Sequence, residues 1–175
     1  MNPSILDFID LALRIGSYAF VILFVFNILK VDYFNPIVKR FVNFYKPISK
    51  ISFFSNQLYT IFIIASLLNF GSLYLLYSNQ YDEMVLGSIA VIETINTIFR
   101  IIFFALIGSV ILSWVAPGNG HPFFKLVEEI SSKALAPIRR FIPAAGGLDF
   151  SPLFALILIR QIEILLSSLL RFINL

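Results

Sequence analysis

Between Ile51 and Tyr81 the chain carries no charged side chain. So long an uncharged run has few physical solutions. Its backbone N–H and C=O groups need partners within the segment itself, and its side chains need an apolar solvent. We therefore read about Leu58 to Tyr77 as a membrane-spanning helix, since roughly 20 residues rising about 1.5 Å each cross a hydrocarbon core of about 30 Å. Asn69 is its one strongly polar group at depth, and it suits an interhelical hydrogen bond.

Three further stretches meet the same test: about Phe8 to Leu29, about Ala90 to Val115, and about Leu153 to Phe172. With 59% hydrophobic and 13% charged residues and a mean hydropathy of +0.91 in 175 residues, the chain is too apolar for a water-soluble domain. The expected fold class is an all-α membrane protein with four transmembrane helices. The first span follows an amino terminus without a basic region, which fits a retained helix better than a cleaved signal peptide. Cysteine is absent and His121 is the single histidine, so thiolate metal sites and disulfides are excluded and no cofactor is expected.

Charge in the connections sets the orientation. The loop after the first span holds Lys30, Lys39, Arg40, Lys46 and Lys50 against Asp32, whereas the loop after the second holds Asp82 and Glu83 with no base. By the positive-inside rule both basic connections are cytoplasmic, and both termini lie outside. This excess of positive charge marks orientation and an anionic lipid surface; it is not a nucleic-acid footprint. Each basic connection opens with a helix-start signature, Asn35-Pro36 and His121-Pro122. About 36–50 places Ile37, Phe41, Phe44, Tyr45 and Ile48 on one face and Lys39, Arg40, Asn43, Lys46 and Lys50 on the other. About 122–135 does the same, with Phe123, Leu126, Val127, Ile130 and Ala134 opposite Lys125, Glu128, Glu129, Ser132 and Lys133.

A shift of 86 positions brings the two halves into register: Asp7 meets Glu93, Arg14 meets Arg100, Pro36 meets Pro122, and Lys39 meets Lys125. The expected architecture is two parallel repeats, 1–80 and 81–175, each a span, a cytoplasmic amphipathic helix and a second span, related by a pseudo-twofold along the membrane normal. The second connection is longer by ten residues, since Phe54-Ser55-Asn56 matches Phe150-Ser151-Pro152 only at a shift of 96.

This lengthened connection carries a hinge, 137–152. Pro137 and Pro143 bracket Ile138, Phe141 and Ile142, which suit lipid, while Arg139 and Arg140 suit phosphate headgroups. Gly146 and Gly147 permit a turn, and Asp149 or Ser151 caps the helix that Pro152 opens. The plainer reading is a basic juxtamembrane loop that only sets orientation. The run Leu-Ala-Pro-Ile-Arg-Arg-Phe-Ile-Pro followed by Gly-Gly-Leu-Asp-Phe-Ser-Pro, with Ile111-Leu-Ser-Trp114 and Asp32-Tyr-Phe-Asn-Pro36, resembles the YggT family of small integral membrane proteins. One departure is Lys133, where such proteins usually carry proline, so the preceding helix is free to run further. The resemblance implies a bacterial inner membrane, links to osmotic tolerance or envelope and division processes, and, through plastid relatives, to cytochrome assembly.

Charges inside the spans need partners or a task, because each costs about 2.5 to 3.5 kcal/mol at membrane depth. Asp10 and Arg14 are four apart and can pair along one helix face. Arg14 and Arg100 lie at matching depths, each 21 residues before Asn35 or His121. Glu163 lies roughly 16 Å along its helix and Arg100 roughly 22 Å from the inner end of its own, so a long arginine stem allows the two to pair, with Arg160 sharing that carboxylate or snorkelling toward the cytoplasm.

No catalytic constellation is visible, and no enzyme is expected. The leading reading is a non-catalytic membrane protein whose cytoplasmic surface organises anionic lipid or partner membrane proteins. Another is a small oligomeric permeation or transport unit, using Arg14, Arg100, Arg160, Glu163 and Asn69 as a polar path. A third, haem handling, follows from the resemblance alone, and His121, Met1 and Met84 offer poor ligation.

Overall fold

The computed structural model describes residues 3–46, 57–142 and 149–173. They form six helices and, among the described residues, no strand: α1 (Pro3–Ile28), α2 (Pro36–Tyr45), α3 (Gln57–Tyr77), α4 (Glu83–Val115), α5 (Pro122–Arg139) and α6 (Ser151–Ile173). Four of them, α1, α3, α4 and α6, are long and apolar enough to cross a membrane.

The helices are longer than hydropathy alone suggests. α1 starts at Pro3 where about Phe8 is expected, because proline at a first helical position needs no N–H partner and Asp7 interrupts the apolar window without interrupting the helix. α4 starts at Glu83 in place of about Ala90 and runs 33 residues, roughly 50 Å, well beyond a bilayer core. The turn after it is made by Gly118, whose φ of 73° is open to glycine at no steric cost.

α2 and α5 are started in the same way. The Asn35 side chain accepts from the Ile37 N–H at 3.0 Å, the His121 ring Nδ1 accepts from the Phe123 N–H at 3.2 Å, and proline follows each cap. α5 does not stop near residue 135 as expected. It passes through Lys133 and Pro137 to Arg139. A proline removes one N–H and crowds the carbonyl four residues back, but in a closing turn that cost is small, and the Phe141 N–H still bonds the Ile138 carbonyl at 2.9 Å. Pro137 is thus the last turn of a helix and not the first residue of a hinge.

α1 packs on α3, α3 on α4, and α4 on both α5 and α6. Small residues permit the closest approach: a β-carbon on Gly16 would stand 3.3 Å from Leu68, and one on Gly108 would stand 3.1 Å from Val127. The Ser17 hydroxyl crosses to the Ala65 carbonyl of α3 at 2.9 Å. The core between α1 and α3 is closed by Val21, Ile61 and Ala65, none more than 2% exposed. At the end where α2 and α5 lie, Val25, Phe26, Val38, Ala105, Leu126 and Ile130 make one apolar cluster from four helices.

Candidate functional site

Two regions carry most of the polar residues singled out by sequence, and they lie at opposite ends of the bundle; Arg100, Arg160 and Glu163 belong to neither. The first is the end built from α2, α5 and the start of α6. Its two connections are tied together: the Asn35 amide donates to the Pro122 carbonyl at 2.8 Å, and the Asp32 N–H donates to Glu129 at 2.7 Å. Glu129 also holds Lys133 at 2.6 Å, and the Lys133 ammonium donates to the Lys30 carbonyl. α2 turns Val38 and Tyr45 inward and leaves Lys39, Arg40, Asn43 and Phe44 exposed. α5 buries Leu126, Ile130, Ser131 and Leu135 and leaves Lys125 and Ser132 exposed. Phe44 and Phe123, assigned by spacing to the apolar faces, are exposed.

The double arginine is divided in its role. Arg139 reaches Asp149 at 2.9 Å, while Arg140, also exposed, has no ion-pair partner among the described residues. Asp149 in turn accepts from the Ser151 N–H at 2.9 Å, which starts α6 at Ser151 with Pro152 second. Ser151 beside it, then Arg139, holds the Asp149 carboxyl below the usual carboxylate range, so it stays ionised. Pro143, Gly146 and Gly147 lie outside the described residues.

The second region is a cleft of about 350 Å³ between α1, α3 and α4, at the end away from α2 and α5. Arg14, Asn69 and Glu93 line it with Tyr77 and Tyr81, whose ring centroids are 6.4 Å apart. Arg14 binds Asp10 of its own helix at 2.9 Å, as its spacing predicts. Asp10 also accepts from the Ser72 hydroxyl of α3 at 2.5 Å. The Asn69 amide crosses to α4, reaching the Ala90 carbonyl and Glu93 at 3.3 Å each. It is therefore the interhelical group its depth suggests.

The expected pairing of Arg100 with Glu163 is not formed. Glu163 takes Arg160, three residues away on α6, at 3.1 Å. Arg100 is exposed on α4 with no carboxylate in ion-pair distance among the described residues. Helix rotation is the reason: Phe99, Ile102 and Phe103 turn toward α6, and Arg100 points away with the exposed Phe104. Ser72, Glu93, Tyr77 and Tyr81 join this region without being among the sequence-predicted site residues. Ser72 could have been found, since it lies three residues from Asn69 and so shares its face.

These features define a class: a small polytopic helical membrane protein with a basic end and charged groups paired within its spans. The chain belongs to the CCB3/YggT family, whose profile matches residues 88–170. An uncharacterized protein of Haemophilus influenzae is 33% identical over 142 residues, covering 74% of this chain and 73% of the relative. An uncharacterized protein of Pseudomonas aeruginosa is 43% identical over 79 residues, 45% of this chain and 40% of the relative. The uncharacterized Escherichia coli protein YggT is 28% identical over 109 residues, 62% of this chain and 57% of the relative. The matched stretch thus spans about half the length of these last two relatives. No solved structure matches the chain significantly.

Proposed function

We propose that the protein is a non-catalytic organiser of the bacterial inner membrane, with the α2/α5 end as a cytoplasmic surface for anionic lipid or partner membrane proteins. The observation that carries this reading is the tie between the two connections. Asn35 to Pro122 and Asp32 to Glu129 join α2 to α5, so the exposed Lys39, Arg40, Lys125 and Arg140 belong to one end of the bundle. In this reading α2 and α5 are interfacial amphipathic helices, and the halves are parallel repeats with both termini outside. The matching caps at Asn35 and His121 support the repeat. Each lysine or arginine near an anionic surface contributes about 1 kcal/mol, so four exposed cations suffice for selective lipid retention. Osmotic tolerance or envelope and division roles would follow from such a surface.

The test is lipid retention by the reconstituted full chain in nanodiscs of mixed phosphatidylglycerol and phosphatidylethanolamine. The native chain is expected to enrich phosphatidylglycerol after detergent challenge, and a Lys39→Gln, Arg40→Gln, Arg140→Gln variant to lose that enrichment. Equal retention by a folded triple variant would remove the basis of the proposal.

The cleft at Arg14, Asn69 and Glu93 favours a second reading, a permeation unit. The tight contact at Val21, Ile61 and Ala65 argues against a continuous path between α1 and α3 within one copy. Potassium and proton flux in liposomes, native against Arg14→Gln and Arg100→Gln, separates the two: flux in the native chain alone selects permeation.

A further inference from the structure

α6 carries a seam that the other described residues leave uncovered. Leu153, Ile157, Arg160, Ile164, Ser167 and Arg171 follow one another at spacings of four, three, four, three and four. That is the period of a left-handed helix pair, in which every seam residue returns to the partner. α6 packs on α4 and α5 through another arc, with Ala155 and Ile159 buried against Leu106 and Leu135. Along the seam Leu153, Ile157 and Ile164 are exposed, and Ser167 is half-buried.

Exposed leucine and isoleucine are ordinary against lipid; arginine is not. The Arg160 side chain is 67% exposed although it lies nine residues after Ser151, roughly 13 Å along the helix and close to mid-bilayer. Glu163 is its one ion-pair partner among the described residues, and Arg171 has none. A cavity of about 260 Å³ is lined by α6 alone, through Arg160, Glu163, Ser167 and Arg171 with their neighbours. Polar groups at this depth in a spanning helix face protein or water, not acyl chains.

We propose that this seam binds a second copy of the chain, α6 against α6, about a twofold axis along the membrane normal. Such an axis sets each seam residue level with its own counterpart, which makes the interface isologous. Arg160 and Glu163 are separated by about 4.5 Å along the helix, within the reach of an arginine stem. Arg160 of each copy therefore lies beside the Arg160–Glu163 pair of the other, whose carboxylate side chain is 12% exposed, and two arginines and two glutamates close as a neutral group. That charge complementarity selects a copy of the same chain over an unrelated span. Ser167 supplies the small side chain that lets the two helices approach.

The chain has no cysteine, so single-cysteine variants report cleanly. Ile157→Cys and Ile164→Cys on the seam, and Leu158→Cys and Leu165→Cys on another exposed face of α6, are oxidised in native membranes and read as dimer on denaturing gels. The seam positions are expected to crosslink about tenfold more than the other two, and Arg160→Gln in the Ile164→Cys background to lower the yield by about tenfold, the ratio an interhelical polar contact supports. Arg160→Lys is expected to retain part of it. Absence of dimer, equal yield on both faces, or a seam adduct with a different protein would each overturn the proposal.

Discussion

Asp10–Arg14 and Arg160–Glu163 are the same chemistry in two settings. Each is an arginine and a carboxylate one helical turn apart within a spanning helix, at 2.9 and 3.1 Å. In α1 the carboxylate is completed from a second helix by Ser72, and the arginine lines a cleft enclosed by α1, α3 and α4. In α6, among the described residues, no polar group of another helix bonds either side chain; the one further polar contact, from the Ser167 hydroxyl, goes to the Glu163 backbone carbonyl at 2.8 Å. Pairing within one helix neutralises charge, but neighbouring helices decide whether the polar group is finished. The first site is complete inside one copy, and the second has the form of half a site.

The largest expected effect breaks the first pair. Asp10→Ala strands the Arg14 guanidinium and leaves the Ser72 hydroxyl without its acceptor, at a cost of about 2 to 3 kcal/mol. Unfolding in lipid-like micelles measures it, and Arg14→Met added to Asp10→Ala is expected to recover more than half. Glu163→Ala should cost less than about 1 kcal/mol in the same micelles, because an exposed Arg160 there reaches water. Equal losses at the two sites would erase the distinction between them.

A smaller step sharpens the same contrast through the serines. Ser72→Ala removes an interhelical hydrogen bond worth about 0.6 kcal/mol on average in membrane proteins. Its effect should vanish when Asp10 is already alanine, since the two act as one contact. Ser167→Ala removes a bond to its own helix, and no measurable loss is expected in micelles. A coupling of zero between Ser72 and Asp10 would show that the α1–α3 contact rests on packing alone.

What could be read without coordinates follows the range of the interaction. The four spans are legible because hydrophobic length is a local property, and Asn35 and His121 are legible as starts because a cap acts over two residues. The Asp10–Arg14 pair is legible from its spacing of four. Ser72 is legible only as a polar group on the face of Asn69; that it meets Asp10, and Glu93 meets Asn69, is not, since two helices must first fix their depth and rotation. Rotation defeats the Arg100–Glu163 expectation, since an arginine stem can span a difference in depth but not one in direction. Pro137 misleads for another reason: proline is read as a break, yet at the end of a helix it breaks little.

The Arg139–Asp149 pair repeats the chemistry a third time, now where water is the solvent, and it should matter least. Both side chains are more than a third exposed, 43% and 38%, so the pair is screened and worth about 0.5 kcal/mol. Ser151 first, and then Arg139, lowers the Asp149 carboxyl below its ordinary value. For a depressed carboxyl the added stability is fully present above the unfolded value, about 3.9, and is lost as pH falls through the lower folded value. Between pH 8 and 4.5 the contribution of Asp149 to unfolding should therefore not change with pH, and Asp149→Asn should differ from the native chain by a constant small amount that shrinks with added salt and is lost as pH falls through the lowered folded value. A difference as large as that at Asp10, or one insensitive to salt, would mean that this pair is shielded from water after all.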